Sequence, residues 1–202
     1  MTVLGNVYDK YNSRNPIASA LFQNFLAKFR GLVSEVQGTS FLEVGCGEGN
    51  LLKLISNWRP DVWCCGIDLS ENLFNEEIRS SPRICLSAQS ACRLAFPDNS
   101  FDLVIASEIL EHLEDPELAL KEVSRISRKH VILSVPREPI WRAMNVARFA
   151  YWKDLGNTPG HLQHWSSPQF VGLVSKHFKI VRVAKPLPWT LILASRKFPL
   201  DP

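Results

Sequence analysis

Phe41-Leu-Glu-Val-Gly-Cys-Gly-Glu-Gly-Asn50 reads as a short apolar strand that breaks into alternate glycines and then opens a helix. A strand that ends this way presents backbone N–H groups and the positive end of a helix to whatever lies above it. Glycine keeps side chains out of the way, so a ligand can approach the backbone closely. The pattern therefore indicates a nucleotide-like cofactor. Its spacing is informative. The dinucleotide fingerprint runs G-x-G-x-x-G, whereas here the glycines are Gly45, Gly47 and Gly49, and Asn50 stands where the third fingerprint glycine belongs. An acidic residue, Glu43, precedes the first glycine by two positions.

Outward from this loop the chain alternates strand and helix patterns. Leu21, Phe25 and Phe29 recur every fourth residue and predict a helix over 18–36. Strands are predicted over 40–44, 61–67, 83–87 and 101–106, with the post-glycine helix over 50–57. Asp115-Pro116-Glu117 opens a further helix, with Asp115 as cap and Pro116 at the first helical position. Its apolar stripe is Ala119, Leu120, Val123 and Ile126. A fifth strand spans 130–135 and stops at Pro136. After a long aromatic and basic segment, 137–166, come a helix over 168–178 and two strands, 179–184 and 189–195. Their short connector implies an antiparallel pair. The whole is an α/β pattern around a mainly parallel sheet.

Composition sets bounds. With 202 residues, the chain is long enough for one domain with a sizeable core, and 46% hydrophobic and 21% charged residues are ordinary for a globular protein. No apolar run approaches the roughly 18 residues of a membrane span. The start, Met1-Thr-Val-Leu-Gly5, lacks the features of a signal peptide, so a cytoplasmic location is expected. The five cysteines, Cys46, Cys64, Cys65, Cys85 and Cys92, include no C-x-x-C pair and read as small buried hydrophobes. Cys64 and Cys65 should point to opposite faces of a strand. The net charge of +3 conceals an asymmetry: residues 1–120 hold 9 basic against 16 acidic side chains, and residues 121–202 hold 14 against 4. A basic half can attract an anionic substrate, a membrane surface or nucleic acid, or can simply balance the acidic half.

Glu43-x-Gly45-x-Gly47-x-Gly49 resembles motif I of the class I S-adenosylmethionine (SAM)-dependent methyltransferases. Asp68, directly after the second strand, matches the acidic residue that holds the ribose hydroxyls in that family. Ala88-Gln-Ser-Ala-Cys-Arg-Leu-Ala-Phe-Pro-Asp-Asn-Ser-Phe-Asp102 is similar to the stretch that lines the adenine and leads into the fourth strand. Ser107-Glu-Ile-Leu-Glu-His-Leu113 resembles the motif after that strand in the methyltransferase domain 11 group, which includes ubiquinone- and menaquinone-biosynthesis methyltransferases. The resemblance covers roughly residues 38–136. It implies a Rossmann-like seven-stranded sandwich of order 3-2-1-4-5-7-6 with one antiparallel strand, and SAM as cofactor. Glu43 would hold the amino group of the methionine portion, and Gly45, Cys46, Gly47 and Gly49 would wrap it. Asp68 would take the ribose, Leu69 would flank the adenine, and Ser107 and Glu108 would complete the cofactor contacts. Relatives often carry Asp where Ser90 stands, so Gln89, Ser90 and the backbone of Ala91 remain alternatives for the adenine amino group. Many relatives also have Pro-Gly-Gly where this chain has Arg128-Lys-His130, read here as a turn before the fifth strand.

The chain is thus expected to be a single SAM-dependent methyltransferase domain over 1–202: an N-terminal lid and helix (1–37), a cofactor core (38–136), an acceptor-site insertion (137–166) and a C-terminal helix and strand pair (167–202). Ligands in this architecture gather beyond the C-terminal strand ends. Candidates for acceptor contact are Tyr8 and Tyr11 before the first helix, and Trp141, Arg142, Asn145, Trp152 and Trp165 in the insertion. The insertion can form an acceptor pocket, lie on a membrane surface as a basic amphipathic helix, or pack on the sheet edge. Resemblance to the quinone methyltransferases adds a lipid-like acceptor to the anionic one suggested by charge. Methyl transfer to a hydroxyl needs a base near neutral pKa, and His112, His161 and His164 are the candidates. With no D-D-N-like carboxylate cluster, the expected reaction is metal-free transfer to a small-molecule hydroxyl, with nitrogen and carbon acceptors left open. The alternatives are a nucleic-acid methyltransferase, which lacks support because no N-P-P-Y or D-P-P-Y motif is present, and a SAM-binding protein without catalysis. A dinucleotide oxidoreductase is disfavoured by the glycine spacing.

Overall fold

A computed structural model describes Tyr11 and residues 13–197. The strand patterns become β1 (Ser40–Val44), β2 (Trp63–Asp68), β3 (Ile84–Ala88), β4 (Phe101–Ser107), β5 (Ser127–Pro136), β6 (Phe178–Ala184) and β7 (Trp189–Arg196). They form one sheet in the order β3-β2-β1-β4-β5-β7-β6. The first five pair in parallel, and β7 runs antiparallel to both β5 and β6. Order and orientation are those the family resemblance implies. The helices are α1 (Pro16–Glu35), α2 (Asn50–Trp58), α3 (Glu76–Arg79), α4 (Pro116–Ile126), α5 (Ile140–Ala147) and α6 (Ser167–His177). Among the described residues, no helix is long and apolar enough to cross a membrane.

Parallel strands covered on both faces must be apolar throughout, and β4 is buried from Phe101 to Ala106. One face packs against Ala119, Leu120, Val123 and Ile126 of α4 and Phe170 and Val174 of α6. The other packs against Phe22, Phe25, Phe29, Leu32 and Val33 of α1 and Leu51, Leu52 and Ile55 of α2. Cys64 joins the second cluster and Cys65 borders the first, on opposite faces as the strand period requires. The caps are also as read: Asp115 accepts from the Leu118 N–H at 3.0 Å. Asn15 accepts from the N–H groups of Ile17 and Ala18 at 2.9 and 3.2 Å, with Pro16 opening α1.

One local expectation is corrected. Residues 128–130 are not a turn. Strand β5 starts at Ser127, directly at the C-cap of α4, and a register shift opposite Phe101 and Leu103 absorbs the abrupt change of direction. Arg128 then has a structural task, described below. The stretch after β2 forms two short turns. Ser70 and Asn75 each cap their own short turn, Glu71–Leu73 and α3, because both side chains compete for nearby backbone N–H groups.

The N-terminal edge of the sheet is fastened by one carboxylate. Asp102 accepts from the N–H of Thr39 (3.0 Å), the N–H and hydroxyl of Ser40 (3.3 and 3.1 Å) and the guanidinium of Arg128 (3.0 Å). It thereby ties the start of β1 to β4 and β5. Burial alone would raise the Asp102 carboxyl, but these donors outweigh it and hold the group below the usual carboxylate range. A depressed carboxylate stabilises the fold above its unfolded value, near 3.9, and this support is lost as pH falls through the lower folded value. Replacing Asp102 by Ala leaves buried donors unsatisfied. Urea unfolding at pH 7 should show a loss of about 2–3 kcal/mol, and the gap between wild type and D102A should narrow as pH drops below about 3.9.

Candidate active site

The C-terminal edges of β1, β2 and β4 form the floor of the site. The Ile67 carbonyl at the end of β2 accepts from both Gly45 N–H (2.8 Å) and Cys46 N–H (2.9 Å). This pins the chain where it leaves β1. One turn on, Asp68 Oδ2 accepts from Gly47 N–H at 2.7 Å, and Oδ1 accepts from Leu69 N–H at 2.7 Å. Gly45, Gly47 and Gly49 have φ of +75°, +53° and +84°. At Gly45 the positive φ is joined by crowding, since a Cβ there would lie 2.4 Å from Ile109 Cδ1. The buried Cys46 thiol is pushed up by its burial and then by Glu43 and Asp68, so it stays protonated and is no nucleophile at neutral pH.

A cavity of about 530 Å³ opens above this floor and has two halves. The first is lined by Glu43, Gly45, Cys46, Gly47, Asp68, Leu69, Gln89, Ser90, Ala91, Ser107 and Glu108. The structure therefore brings together, around one space, all but one of the residues expected at the cofactor. Gly49 is the exception: it is the left-handed N-cap of α2 and faces Ile78. Leu69 is 52% exposed and forms an apolar ledge on the cavity. Gln89 is fixed, its amide donating to Ser87 Oγ (2.9 Å) and its carbonyl accepting from Ala95 N–H (2.8 Å). Glu108 adopts φ +59°, a sparsely populated conformation for a non-glycine residue. Its carboxylate accepts from Ser134 Oγ (3.1 Å) and Trp189 Nε1 (2.7 Å). Those partners lie on β5 and β7, so Glu108 couples the cofactor half to the far side of the sheet edge.

The second half is aromatic. Ring contacts run without a break from Tyr11 to Phe22 (4.9 Å between centroids), Phe22 to Phe25 (5.8 Å), Phe25 to Trp189 (5.0 Å), Trp189 to Trp141 (5.7 Å), Trp141 to His161 (6.1 Å) and His161 to His112 (4.8 Å). All seven line the cavity. Trp141 is oriented by its indole N–H, which donates to Thr158 Oγ1 at 2.9 Å. Buried Asn145 donates to the same hydroxyl (3.2 Å) and to the Gly156 carbonyl (2.8 Å), which folds the segment after α5 back against that helix. His112 is oriented by the Gly160 carbonyl, 3.0 Å from Nδ1. A carbonyl only accepts, so Nδ1 carries the proton and the lone pair of the neutral ring sits on Nε2.

Of the expected acceptor-side residues, the structure brings Tyr11, Trp141, Asn145, His112 and His161 to the cavity and leaves four others away from it. Arg142 donates to the Leu155 carbonyl (3.1 Å), and Trp152 is exposed to solvent. Trp165 packs on Phe170 at 5.9 Å, and His164 pairs with Asn157 at 2.7 Å. Tyr8 lies outside the described residues. The reason is local: α5 is only eight residues long, and the chain then reverses through left-handed residues at Phe149, Tyr151 and Leu155. Phe22, Trp189 and Thr158 were missed by sequence reasoning. Phe22 lies one step off the Leu21–Phe25–Phe29 stripe, and nothing local marks Trp189 as more than the first residue of a strand.

Comparison with known proteins agrees with this geometry. The chain matches the methyltransferase domain family over residues 42–135. It is 31% identical over 98 residues to an uncharacterised methyltransferase of Schizosaccharomyces pombe, covering 43% of this chain and 35% of that one. It is 29% identical over 161 residues to a demethylmenaquinone methyltransferase of Staphylococcus aureus, covering 74% and 66%. These alignments span about a third and just under two thirds of the two relatives. The magnesium protoporphyrin IX methyltransferase of Synechocystis, solved with S-adenosylhomocysteine (SAH), superposes with a TM-score of 0.67 at 17% identity, covering 92% of this chain and 90% of that one, which shows a shared fold. The sheet order and this superposition show the fold of the class I SAM-dependent methyltransferases. Residues 42–135 resemble the methyltransferase domain 11 group, and SAM is the cofactor that the family model and the SAH-bound neighbour support.

The residues at the loop fit that cofactor. Each Asp68 oxygen accepts one backbone N–H and keeps capacity for a further donor. Gly45→Ala would place a side chain in a left-handed backbone and against Ile109. Calorimetry with SAH should show at least a roughly tenfold loss of affinity for G45A, corresponding to the ~1–2 kcal/mol of left-handed strain.

Proposed function

We propose that this chain transfers the methyl group of SAM to a hydroxyl oxygen on a planar, largely apolar small molecule. One observation carries the reading: a single cavity joins the glycine loop and Asp68 to an aromatic chamber that ends at His161 and His112. Bound SAM supplies a methyl group already activated on a sulfonium, so the protein's task is alignment. Glu43 binds the ammonium of the methionine portion, Gly45 to Gly47 line its path, and Asp68 accepts the ribose hydroxyls. Leu69 flanks the adenine, and Gln89, Ser90 and Ala91 meet its edge. Phe25, Trp141 and Trp189 hold the flat acceptor by stacking and exclude water. The acceptor hydroxyl then lies beside the two histidines. As the carbon–sulfur bond breaks and the carbon–oxygen bond forms, the hydroxyl proton passes to His112 Nε2. SAH and the methyl ether leave.

Two of the similar proteins are named for demethylmenaquinone and magnesium protoporphyrin IX. The aromatic chamber here supports a ring-bearing acceptor for this chain too.

The reading has two arms. SAM and SAH should bind in calorimetry while NAD gives no heat, and D68A should weaken SAH at least about tenfold, as expected for losing charge-assisted hydrogen bonds worth ~1.5–3 kcal/mol. W141A should raise the acceptor KM while leaving the SAM KM within about twofold, since each aromatic pair contributes only ~0.5–1.5 kcal/mol beyond area. Tight NAD binding, or a D68A variant with unchanged SAH affinity, would remove the proposal.

A further inference from the structure

The acceptor chamber ends in a side-chain set that alignment of a methyl group does not require. Glu111, His112 and His161 each offer a ligand atom, and all three atoms lie within 4.8 Å of one another. Glu111 is 1% exposed and His161 8%. A carboxylate carried that deep is favourable only in company with positive charge or strong donors. All three residues line the cavity, so the set faces the space where an acceptor would sit rather than solvent.

The arrangement is built, not incidental. Glu111 and His112 belong to the tight turn Leu110–His112 that follows β4, and His161 comes from the segment after α5. Four hydrogen bonds stitch these two stretches together. The Glu111 carbonyl accepts from the N–H groups of Leu162 (2.8 Å) and Gln163 (3.0 Å), the Gln163 amide donates to the Leu113 carbonyl (3.2 Å), and His112 Nδ1 donates to the Gly160 carbonyl (3.0 Å). The last of these is the kind of contact that fixes ring orientation and tautomer in metal-bound histidine, with Nε2 turned to the ion. The two imidazoles meet edge to face, 4.8 Å between centroids and 84° between planes, which lets their nitrogens converge without the rings colliding.

We propose that Glu111, His112 and His161 bind a divalent transition-metal ion at the end of the acceptor chamber. Two imidazole nitrogens and one carboxylate suit Zn²⁺, Mn²⁺, Fe²⁺ or Co²⁺, and are poor in oxygen for Mg²⁺ or Ca²⁺. Three protein ligands on one side leave coordination positions open toward the cavity. In the setting of the methyl-transfer reading, on which this role for the ion rests, the acceptor's hydroxyl oxygen takes an open position and its proton is released to bulk water. The oxygen then attacks the methyl carbon as an alkoxide or phenolate held by the ion, and the carbon–sulfur bond breaks. The histidines are ligands in this scheme, so with the ion bound His112 Nε2 no longer takes the hydroxyl proton, which departs from the metal-free expectation of the sequence.

The test uses full-length protein stripped with a chelator and titrated with Co²⁺, followed by its visible absorption, with Zn²⁺ as competitor. One ion per chain should bind with a tetrahedral or five-coordinate spectrum and be displaced by Zn²⁺. H161A and E111Q should each weaken Co²⁺ at least about 100-fold, more than the loss of an outer partner causes. SAH calorimetry on both variants, with affinity kept within about twofold, confirms that they are folded. Absence of a Co²⁺ spectrum in wild type, or a spectrum unchanged in H161A and E111Q, overturns the metal site. Methyl transfer that persists after chelation overturns its role while leaving the methyltransferase reading intact, and failure to bind SAH would instead remove that reading.

Discussion

A single carbonyl organises the site. Ile67, at the end of β2, accepts from Gly45 and Cys46 together, so the chain leaving β1 cannot continue as a strand and must turn over the sheet edge. Asp68 then captures Gly47 N–H at 2.7 Å and holds the loop against β2. These contacts fix where α2 begins and keep the Asp68 carboxylate and the glycine backbone in one register. They also require a bare backbone at Gly45, because Ile109, from the segment after β4, fills the space where a Cβ would be. The loop is thus shaped from both neighbouring strands, which is why a parallel order with β1 between β2 and β4 matters to it.

The other half of the site depends on a different economy of contacts. Its wall is assembled from α1, the segment around α5, the turn after β4 and the start of β7. No one of these elements makes a chamber. They are held in place by polar fasteners of long reach: Glu108 to Trp189, Trp141 to Thr158, and His112 to Gly160. Each is a buried or half-buried group that must be paired, so each constrains geometry more strictly than apolar packing would. The contact between His112 and Gly160 helps to hold the Glu111–His112–His161 cluster on the cavity wall.

What could be read in the sequence follows from how local each signal is. The glycine spacing, the Asp115 cap and the two-residue strand period act within a few residues, while the reading of Asp68 and the sheet order came with the family resemblance. The β5 start was misplaced because Arg128 is held by Asp102, a partner 26 residues away, and no local pattern announces that contact. Acceptor-side candidates split for the same reason. Trp141 and His161 could be listed from composition, but Arg142 on α5 is drawn to the Leu155 carbonyl, and Trp152, just past the left-handed Phe149 and Tyr151, is exposed. Phe22 and Trp189 meet only through tertiary packing, 6.2 Å between centroids, and neither could be assigned to the cavity from its neighbours in the chain.

The central claim is that one cavity carries the cofactor at the glycine loop and aims its reactive end at the aromatic chamber. A crystal structure of the full chain with SAH tests this directly. The account predicts ribose oxygens on Asp68, adenine against Leu69, the amino-acid portion along Gly45 to Gly47, and the thioether sulfur facing His112 and Trp141. Density for SAH elsewhere, or a sulfur turned away from the chamber, would contradict it.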